Sequence, residues 1–318
     1  MRIVFIGTPE YAVPSLKTLI SSEHEVVAVV TQPDRPKGRG RSIQQPPIKK
    51  IAIESRLKIL QPEKAGEPEF IRKVRALLPD LIIVAAYGQI LKQELLDIPK
   101  WFCMNLHASL LPAYRGAAPI NWPILNGDAR TGVTTMKMDS GLDTGDILLS
   151  RSIPIEDFDD SQILHDKLSV LGATLVLETI NKIQNGMLSP QPQNNRDASY
   201  APKLRKEFGL IRWNQSAKII RNLVRGLRPW PGAHTSYQGK KLEITKAEEV
   251  ASQKGDGPGI ITRVSDYGLE VGTGAGRLVI TELKPEGKRI MSVKSFLQGR
   301  TVLAGMKFDN RNADEPAA

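Results

Sequence analysis

The sequence Arg2-Ile-Val-Phe-Ile-Gly-Thr-Pro9 is a short β-rich run that ends in a tight turn, and a helical segment at about Tyr11–Ser21 follows it. A second β-rich run, Val26–Thr31, comes next, and the alternation recurs in the helical stretch Glu67–Leu78 and the apolar run Leu81–Ala86. Alternating strands and helices favour a parallel sheet with helices on both faces. We therefore predict an α/β fold, with a Rossmann-like, doubly wound and mostly parallel sheet in the N-terminal domain.

Several function classes are disfavoured by what the sequence lacks. The turn Gly7-Thr-Pro9 does not have the three-glycine pattern of dinucleotide sites, so we do not expect NAD binding. No apolar run approaches the roughly 20 residues that span a bilayer, and the first apolar run is too short for a signal peptide. The single cysteine, Cys103, excludes an internal disulfide framework and a Cys-rich zinc site. We expect a cytoplasmic monomer with a buried, unreactive thiol and no membrane segment.

The positive charge of the chain is concentrated in its C-terminal part. Residues 1–200 hold 23 Lys and Arg against 22 Asp and Glu, a balance of +1, whereas residues 201–318 hold 21 against 12, a balance of +9. This asymmetry suggests that the first part carries out chemistry and that the second binds a polyanion. On charge alone, a basic surface that serves only solubility remains an alternative.

The C-terminal part also differs in its predicted structure. Short β-rich runs separated by glycines are typical of a small β-barrel. We predict a catalytic domain at residues 1–189, a linker at 190–206 and a basic, OB-like β-barrel at 207–318. The runs that predict the barrel are Lys241–Lys246, Gly259–Arg263, Leu269–Thr273 and Arg277–Leu283.

An amide, an imidazole, a hydroxyl and a guanidinium lie within the twelve residues Asn105-Leu-His-Ala-Ser-Leu-Leu-Pro-Ala-Tyr-Arg-Gly116. They follow the apolar run Trp101–Met104, which we predict to be a buried strand. Asn105 and His107 are two positions apart, so on an extended segment their side chains share a face. An amide donor beside an imidazole can polarise a carbonyl while a proton moves, as acyl-type transfer requires.

Three aspartates are candidates to orient His107. Asp139, Asp143 and Asp146 lie in an irregular loop between the strand-like runs 133–138 and 147–153, and spacing does not decide among them. A metal site of His107 with these aspartates is disfavoured, because no second histidine lies nearby. Ser109 is disfavoured as a hydrolase nucleophile, because no Gly-x-Ser-x-Gly turn surrounds it.

A cationic stretch, Gln32-Pro-Asp-Arg-Pro-Lys-Gly-Arg-Gly-Arg41, follows the second predicted strand. Its two prolines and two glycines predict an irregular loop. Ligands of parallel sheets bind beside the C-terminal ends of the strands, where this loop begins. We therefore prefer phosphate contact over a merely solvated loop. Its cations are Arg35, Lys37, Arg39 and Arg41.

These residues resemble the formyltransferase family that uses 10-formyltetrahydrofolate. The pattern Asn105-x-His107-x-Ser109-Leu-Leu-Pro112, the segment Tyr114–Ile120 and the loop Gly141–Gly145 with its central Asp143 carry the resemblance. Other matches and the basic C-terminal part extend the resemblance over nearly the whole chain. Within the family, the chain is similar to the members that act on methionyl initiator tRNA. Those matches are Phe5–Pro9, Gln32–Pro36, Gly38–Gly40 and Arg228–Pro231.

The resemblance implies transfer of a formyl group from 10-formyltetrahydrofolate to the α-amine of methionyl initiator tRNA, without a metal. It implies that Asn105 donates a hydrogen bond to the formyl oxygen as it becomes an oxyanion, and that His107 assists at the same tetrahedral centre. It implies that Asp143 pairs with His107 and helps to remove a proton from the amine. The implied folate-site residues are Ser109, Leu110, Leu111 and Pro112, and the implied tRNA contacts are Arg35, Lys37, Arg39 and Arg41.

Two other functions are compatible with parts of the sequence. A relative with the same N-terminal site could formylate a small phosphorylated or nucleotide-sugar amine, but such an acceptor does not require a C-terminal balance of +9. An RNA-binding protein with an inactive enzyme domain is the other alternative. The intact residues Asn105, His107 and Asp143 argue against it.

Overall fold

In the computed structural model, which describes residues 1–37, 42–250 and 257–308, the chain forms two compact units. The first unit comprises residues 1–119, 130–154 and 165–201. The second comprises residues 120–129, 155–164 and the described residues from 202 onward. The second unit therefore includes two short segments from the N-terminal half of the chain. The domain boundaries expected from the sequence, 1–189, 190–206 and 207–318, stay a prediction.

The first unit is built on a mixed sheet and two small strand pairs. Its strands are β1 (Arg2–Gly7), β2 (Glu25–Val30), β3 (Arg35–Lys37), β4 (Ser42–Gln44), β5 (Ile59–Leu60), β6 (Leu81–Ala85), β7 (Cys103–His107), β8 (Arg115–Gly116), β9 (Arg130–Lys137), β10 (Ile147–Pro154) and β11 (Tyr200–Ala201). The helices of the chain are α1 (Val13–Ile20), α2 (Pro47–Glu54), α3 (Pro68–Arg75), α4 (Gln93–Leu96), α5 (Asn121–Asn126), α6 (Ser161–Gln184), α7 (Ala217–Gly226) and α8 (Val293–Leu297).

Most of the main sheet is parallel. Within the described residues it has seven strands in the order β10-β9-β7-β6-β1-β2-β5. Neighbouring strands from β5 through β2, β1 and β6 to β7 pair in parallel. β9 pairs antiparallel with β7, and β10 pairs antiparallel with β9. β1 and β6 are nearly continuous apolar runs with both faces buried, as expected for parallel strands covered by helices. The α/β fold predicted from the sequence is confirmed.

Two local expectations are wrong. The strand expected at Trp101–Met104 begins two residues later and continues through His107, and the side chain of Trp101 is half-exposed. The Gln32–Arg41 stretch is not irregular throughout, because β3 within it pairs antiparallel with β4. Pro36 fits this strand because, within the described part of the chain, β3 has a single strand neighbour, and proline is tolerated at a sheet edge.

The second unit contains an antiparallel sheet. Within the described residues the strands follow the order β12-β13-β16-β15-β14, with β17 paired to β16. A core that includes Trp213 stacked on Phe308, with ring centroids 5.3 Å apart, packs against this sheet. Closure into an OB-like barrel stays a prediction. The strands are β12 (Ala233–Tyr237), β13 (Lys240–Val250), β14 (Ile261–Val264), β15 (Leu269–Gly272), β16 (Arg277–Pro285) and β17 (Met291–Ser292).

No helix among the described residues is both long enough and apolar enough to cross a membrane.

Candidate active site

Strand β7 holds Asn105 and His107 between β6 and β9. Asn105 pairs with Val84 of β6 and with Met136 of β9, and His107 pairs with Thr134 of β9. Because alternate residues of a strand share a face, the amide and the imidazole lie on the same side of the sheet. His107 is buried and Asn105 is half-buried, so the strand presents both groups at a largely enclosed site.

The carboxylate of Asp143 contacts both of these groups. Its Oδ2 lies 3.7 Å from Nδ1 of His107, and its Oδ1 accepts a hydrogen bond of 3.5 Å from Nδ2 of Asn105. The backbone N–H of Gly116 donates to Oδ2 at 2.9 Å. The contact with the imidazole is at ion-pair distance and is longer than a hydrogen bond. The carboxylate is therefore held beside the ring by neighbours that hydrogen-bond to it.

The other two aspartates of the loop have different contacts. The Oδ1 of Asp139 accepts hydrogen bonds from the backbone N–H of Gly141 at 3.0 Å and from the hydroxyl of Thr144 at 2.7 Å, which close the loop. Asp146 accepts a backbone hydrogen bond of 2.9 Å from Lys137 where β9 ends. Of the three candidates, Asp143 is thus the one in contact with His107.

The contact of the second ring nitrogen, Nε2, shows which nitrogen of His107 is free to accept a proton. Nε2 lies 2.9 Å from the carbonyl oxygen of Tyr114. A carbonyl oxygen only accepts, so Nε2 must carry a hydrogen, and this assignment follows from the network. In the neutral ring the basic nitrogen is then Nδ1, which faces Asp143. A proton taken up on Nδ1 would lie beside a carboxylate that stabilises it.

The run 109–112 is fixed to strand β9 by one threonine. The hydroxyl of Thr134 donates to the carbonyl of Ser109 at 2.7 Å and accepts from the N–H of Leu111 at 3.2 Å. Ser109 is fully buried, and its own hydroxyl donates to the carbonyl of Ala113 at 2.6 Å. Its hydroxyl therefore stabilises the turn from within, and its contact with folate stays a prediction. The half-buried members of the run are Leu110 and Pro112.

Side chains from the predicted linker reach the Asp143 loop. Nε2 of Gln193 donates to the carbonyls of Asp143 at 2.9 Å and Gly145 at 2.7 Å. Oε1 of Gln193 accepts from Nε and Nη2 of Arg115 at 3.1 and 2.8 Å, and Nη2 also donates to Oδ1 of Asn195 at 3.0 Å. Nothing in the local sequence signals these contacts, because a stretch rich in Pro, Gln and Asn is typical of a linker.

The β3–β4 hairpin is fixed at its base. Oδ2 of Asp34, the residue before β3, accepts a hydrogen bond from Nζ of Lys49 at 2.7 Å. Its Oδ1 accepts one from Nε2 of Gln61 at 2.9 Å. These two hydrogen bonds hold the pKa of the Asp34 carboxyl below its usual range. The hairpin therefore begins from an anchored, ionised residue.

The four loop cations predicted to contact tRNA are described only in part. Arg35 forms an exposed ion pair with Glu63, with Nη2 3.2 Å from Oε2. Lys37 is the last residue of β3. Arg39 and Arg41 lie outside the described residues. The contacts of these cations with RNA stay a prediction.

The thiol of Cys103, the first residue of β7, is buried. Its Sγ lies 3.8 Å from the carbonyl oxygen of Leu95. Burial, with a smaller effect from the charge of Asp97, raises the pKa of the thiol to about 12. It is therefore protonated and unreactive at neutral pH. Within residues 1–37, 42–250 and 257–308, no three His, Cys, Asp or Glu side chains come together as a metal site.

The second unit contains a cavity of about 530 Å³ with several cations in its wall. Lys240 and Lys241, at the start of β13, line it, as do Lys288 and Arg300. The guanidinium carbon of Arg300 lies 4.6 Å from the ring centroid of Phe296, another wall residue. A wall with several cations can hold phosphate groups.

Two family models match the chain. The family model described as formyl transferase matches residues 1–180, and the model described as formyl transferase, C-terminal domain, matches residues 203–301. The chain belongs to the formyl transferase family. The resemblance inferred from the sequence is thereby confirmed, as is its class of activity, a formyl-group transferase.

Individual relatives are similar over nearly the whole chain. The methionyl-tRNA formyltransferase of Caldanaerobacter subterraneus subsp. tengcongensis is 51% identical over 306 residues, which cover 96% of this chain and 99% of that protein. The sugar 3N-formyl transferase WlaRD, solved with dTDP and 5-N-formyl-THF, superposes with a TM-score of 0.67 at 20% identity, covering 91% of this chain and 99% of that one. At that identity, the likeness supports the fold.

A second solved structure is HypX from Aquifex aeolicus in complex with tetrahydrofolic acid. It superposes with a TM-score of 0.64 at 21% identity and covers 93% of this chain. This chain spans about half of that HypX chain, 47% of its length. This likeness also supports the fold.

Proposed function

We propose that this chain transfers the formyl group of 10-formyltetrahydrofolate to the α-amine of methionyl initiator tRNA, giving N-formylmethionyl-tRNA for translation initiation. The observation that carries the proposal is the Asp143 carboxylate, which lies beside Asn105 and His107 in a chain 51% identical to a methionyl-tRNA formyltransferase. Since charged tRNA is a cytoplasmic substrate, the proposal includes a cytoplasmic location. It also includes action as a monomer.

Proton removal is assigned to His107 with Asp143. The attacking α-amine must be neutral, and α-amines titrate near pH 7.7–8.0 in peptides, so the base has a small task. As the amine nitrogen bonds to the formyl carbon, it becomes more acidic and loses a proton to Nδ1 of His107. Asp143, 3.7 Å from Nδ1, stabilises the imidazolium that forms.

Stabilisation of the oxyanion is assigned to Asn105. A carboxamide nitrogen has two N–H donors, and the 3.5 Å contact with Asp143 uses one of them. The other donor serves the formyl oxygen as negative charge develops in the tetrahedral intermediate. When the intermediate collapses, the bond from carbon to folate N10 breaks, and N10 takes the proton that the amine lost. The formyl group then remains on the methionyl nitrogen.

Folate binding is assigned to the run 109–112. Leu110 and Pro112 are half-buried and supply apolar surface beside the reacting groups. Thr134 fixes the backbone that carries them through two hydrogen bonds. A fixed apolar wall suits a flat heteroaromatic ring, because the protein loses little freedom when the ring binds.

Two cationic regions support an RNA acceptor. Residues 201–318 have a charge balance of +9, and the cavity formed there has Lys240, Lys241, Lys288 and Arg300 in its wall. The hairpin of β3 and β4 carries Arg35 and Lys37 next to an anchored base. Cations of this kind attract the phosphate backbone of RNA at long range and release counterions on contact.

One assay tests the proposed function against its two alternatives. The purified chain is incubated with 10-formyltetrahydrofolate and either methionyl initiator tRNA or a nucleotide-sugar amine, and N-formyl products are measured. We expect product with the tRNA only. Product only with the small amine would assign the chain to the small-acceptor reaction. Tight tRNA binding without transfer to either acceptor would identify an inactive RNA-binding protein.

A further inference from the structure

The backbone of Asp143 has an unusual conformation that its neighbours must maintain. Its φ angle is 56°, in the left-handed region that side chains with a Cβ rarely adopt. Two residues later, a Cβ at Gly145 would overlap the carbonyl oxygen of Lys137, so the loop passes directly against β9. The direction of the Asp143 carboxylate therefore depends on how firmly this short stretch of backbone is held.

The side-chain amide of Gln193 bridges that stretch. Nε2 of Gln193 donates to the carbonyls of Asp143 and Gly145 at 2.9 and 2.7 Å, one on each side of Thr144. The amide cannot turn over, because its Oε1 faces two N–H groups of Arg115 and a guanidinium only donates. Arg115 thus determines which end of the Gln193 amide faces the loop.

Arg115 itself is fixed and enclosed. It is 2% exposed, and its hydrogen-bond partners are the amide oxygens of Gln193 and Asn195. The next residue, Gly116, donates its backbone N–H to Oδ2 of Asp143 at 2.9 Å. Gly116 therefore holds the carboxylate of Asp143 directly, and its neighbour Arg115 holds the backbone of Asp143 through Gln193.

We propose that Arg115 and Gln193 are positioning residues for catalysis. The Arg115 guanidinium orients the amide of Gln193, the amide fixes the left-handed backbone of Asp143, and the carboxylate is thereby aimed at Nδ1 of His107. Neither residue needs to contact a substrate in this role. The inference rests on the proposed formyl transfer for its kinetic consequence, but the geometry it describes can be measured without any substrate.

The kinetic test uses a double-mutant cycle. Gln193→Met keeps the length of the side chain, Arg115→Met keeps most of the apolar stem of the arginine, and both remove the hydrogen bonds. We expect each to lower kcat by at least tenfold while KM for the tRNA changes less than twofold, since the substrate-binding surface is unchanged. The double variant should be no slower than the slower single variant, because both act through one contact. Losses that multiply in the double variant would overturn the coupling.

The structural test is independent of activity. The ring nitrogens of His107 are observed by ¹⁵N NMR in the full chain, with Asn195→Ala as the matched control, since Asn195 contacts Arg115 but not the Asp143 loop. We expect the Nδ1 resonance to shift in Gln193→Met and to stay in place in Asn195→Ala. An unchanged Nδ1 resonance in a folded Gln193→Met chain would overturn the positioning role, even if the wild type formylates tRNA. A shift without any formyl transfer by the wild type would instead contradict the proposed function.

Discussion

Nδ1 of His107 lies 3.7 Å from Oδ2 of Asp143, while Nε2 of the same ring donates to a backbone carbonyl at 2.9 Å. The ring can therefore take up a proton only on the nitrogen that faces the carboxylate. The backbone carbonyl thus fixes the ring, and a proton taken up on Nδ1 would lie beside the Asp143 carboxylate.

Truncation of either β7 side chain should abolish most of the turnover. In Asn105→Ala the oxyanion loses a preorganised donor, and in His107→Ala the amine loses its base, so we expect kcat to fall by roughly 100-fold or more. The affinity for tRNA should stay largely intact. Steady-state kinetics and tRNA-binding measurements on the purified variants test both statements. A variant with unchanged turnover would remove its residue from the mechanism.

Asp143→Asn removes the negative charge of the side chain and keeps its size and shape. An asparagine oxygen can still accept from the N–H of Gly116, so thermal stability should change little. Turnover should fall by about 100-fold, because the imidazolium is no longer stabilised by a negative charge. Asp139→Asn is the control in the same loop, since Asp139 hydrogen-bonds within the loop and does not contact His107. Equal losses in both variants would show that loop structure, rather than charge, is responsible.

The buried hydroxyl of Thr134 should contribute measurably to stability. It contacts two backbone groups of the run 109–112, so Thr134→Val leaves both without this partner and should lower the free energy of unfolding by about 1–3 kcal/mol. Thr131 lies on the same strand, and its buried hydroxyl has no hydrogen-bond partner among the described residues. Thr131→Val should therefore be neutral or stabilising. Urea unfolding of both variants checks the difference, which a similar loss in Thr131→Val would contradict.

The parts of the fold that depend on local pattern could be predicted from the sequence. The helix α6 (Ser161–Gln184) begins beside its own capping residue, Asp160, whose Oδ1 accepts from the N–H groups of Gln162 and Ile163 at 3.0 and 2.9 Å. Periodicity and capping are local, so neighbouring residues encode them. The shared face of Asn105 and His107 follows from the strand repeat in the same way.

The parts that depend on the path of the chain could not be predicted from the residues alone. Spacing left three aspartates open as partners of His107, and the backbone of the loop, with Asp143 at φ 56°, decides among them. Gln193 lies 50 positions beyond Asp143 in a stretch with the composition of a linker. A contact between residues so far apart depends on how the intervening strand and helix fold, which local composition does not encode.

Cys103 should resist modification until the chain unfolds. Burial raises the pKa of its thiol to about 12 from an ordinary value of 9.0, so the native thiol stays protonated at pH 8. We expect iodoacetamide to label the chain in urea and to leave the native chain unlabelled. The sign of the pH dependence follows, because only the unfolded thiol ionises as the pH rises above 9.0, and stability should fall there. Rapid labelling of the native chain would contradict the burial of this side chain.

The cationic cavity of the second unit should contribute to the salt dependence of tRNA binding. Lys240 and Lys241 line the cavity, whereas Lys246 lies on the same strand outside its wall. For each phosphate contact removed, the slope of log K against log salt should decrease by roughly 1. Lys240→Gln combined with Lys241→Gln should therefore flatten the slope by up to about 2 units and leave kcat at saturating tRNA unchanged. Lys246→Gln should change neither quantity. Filter-binding measurements across a salt series supply the slopes, and equal slopes for the double variant and the wild type would show that the phosphates of tRNA do not contact this cavity.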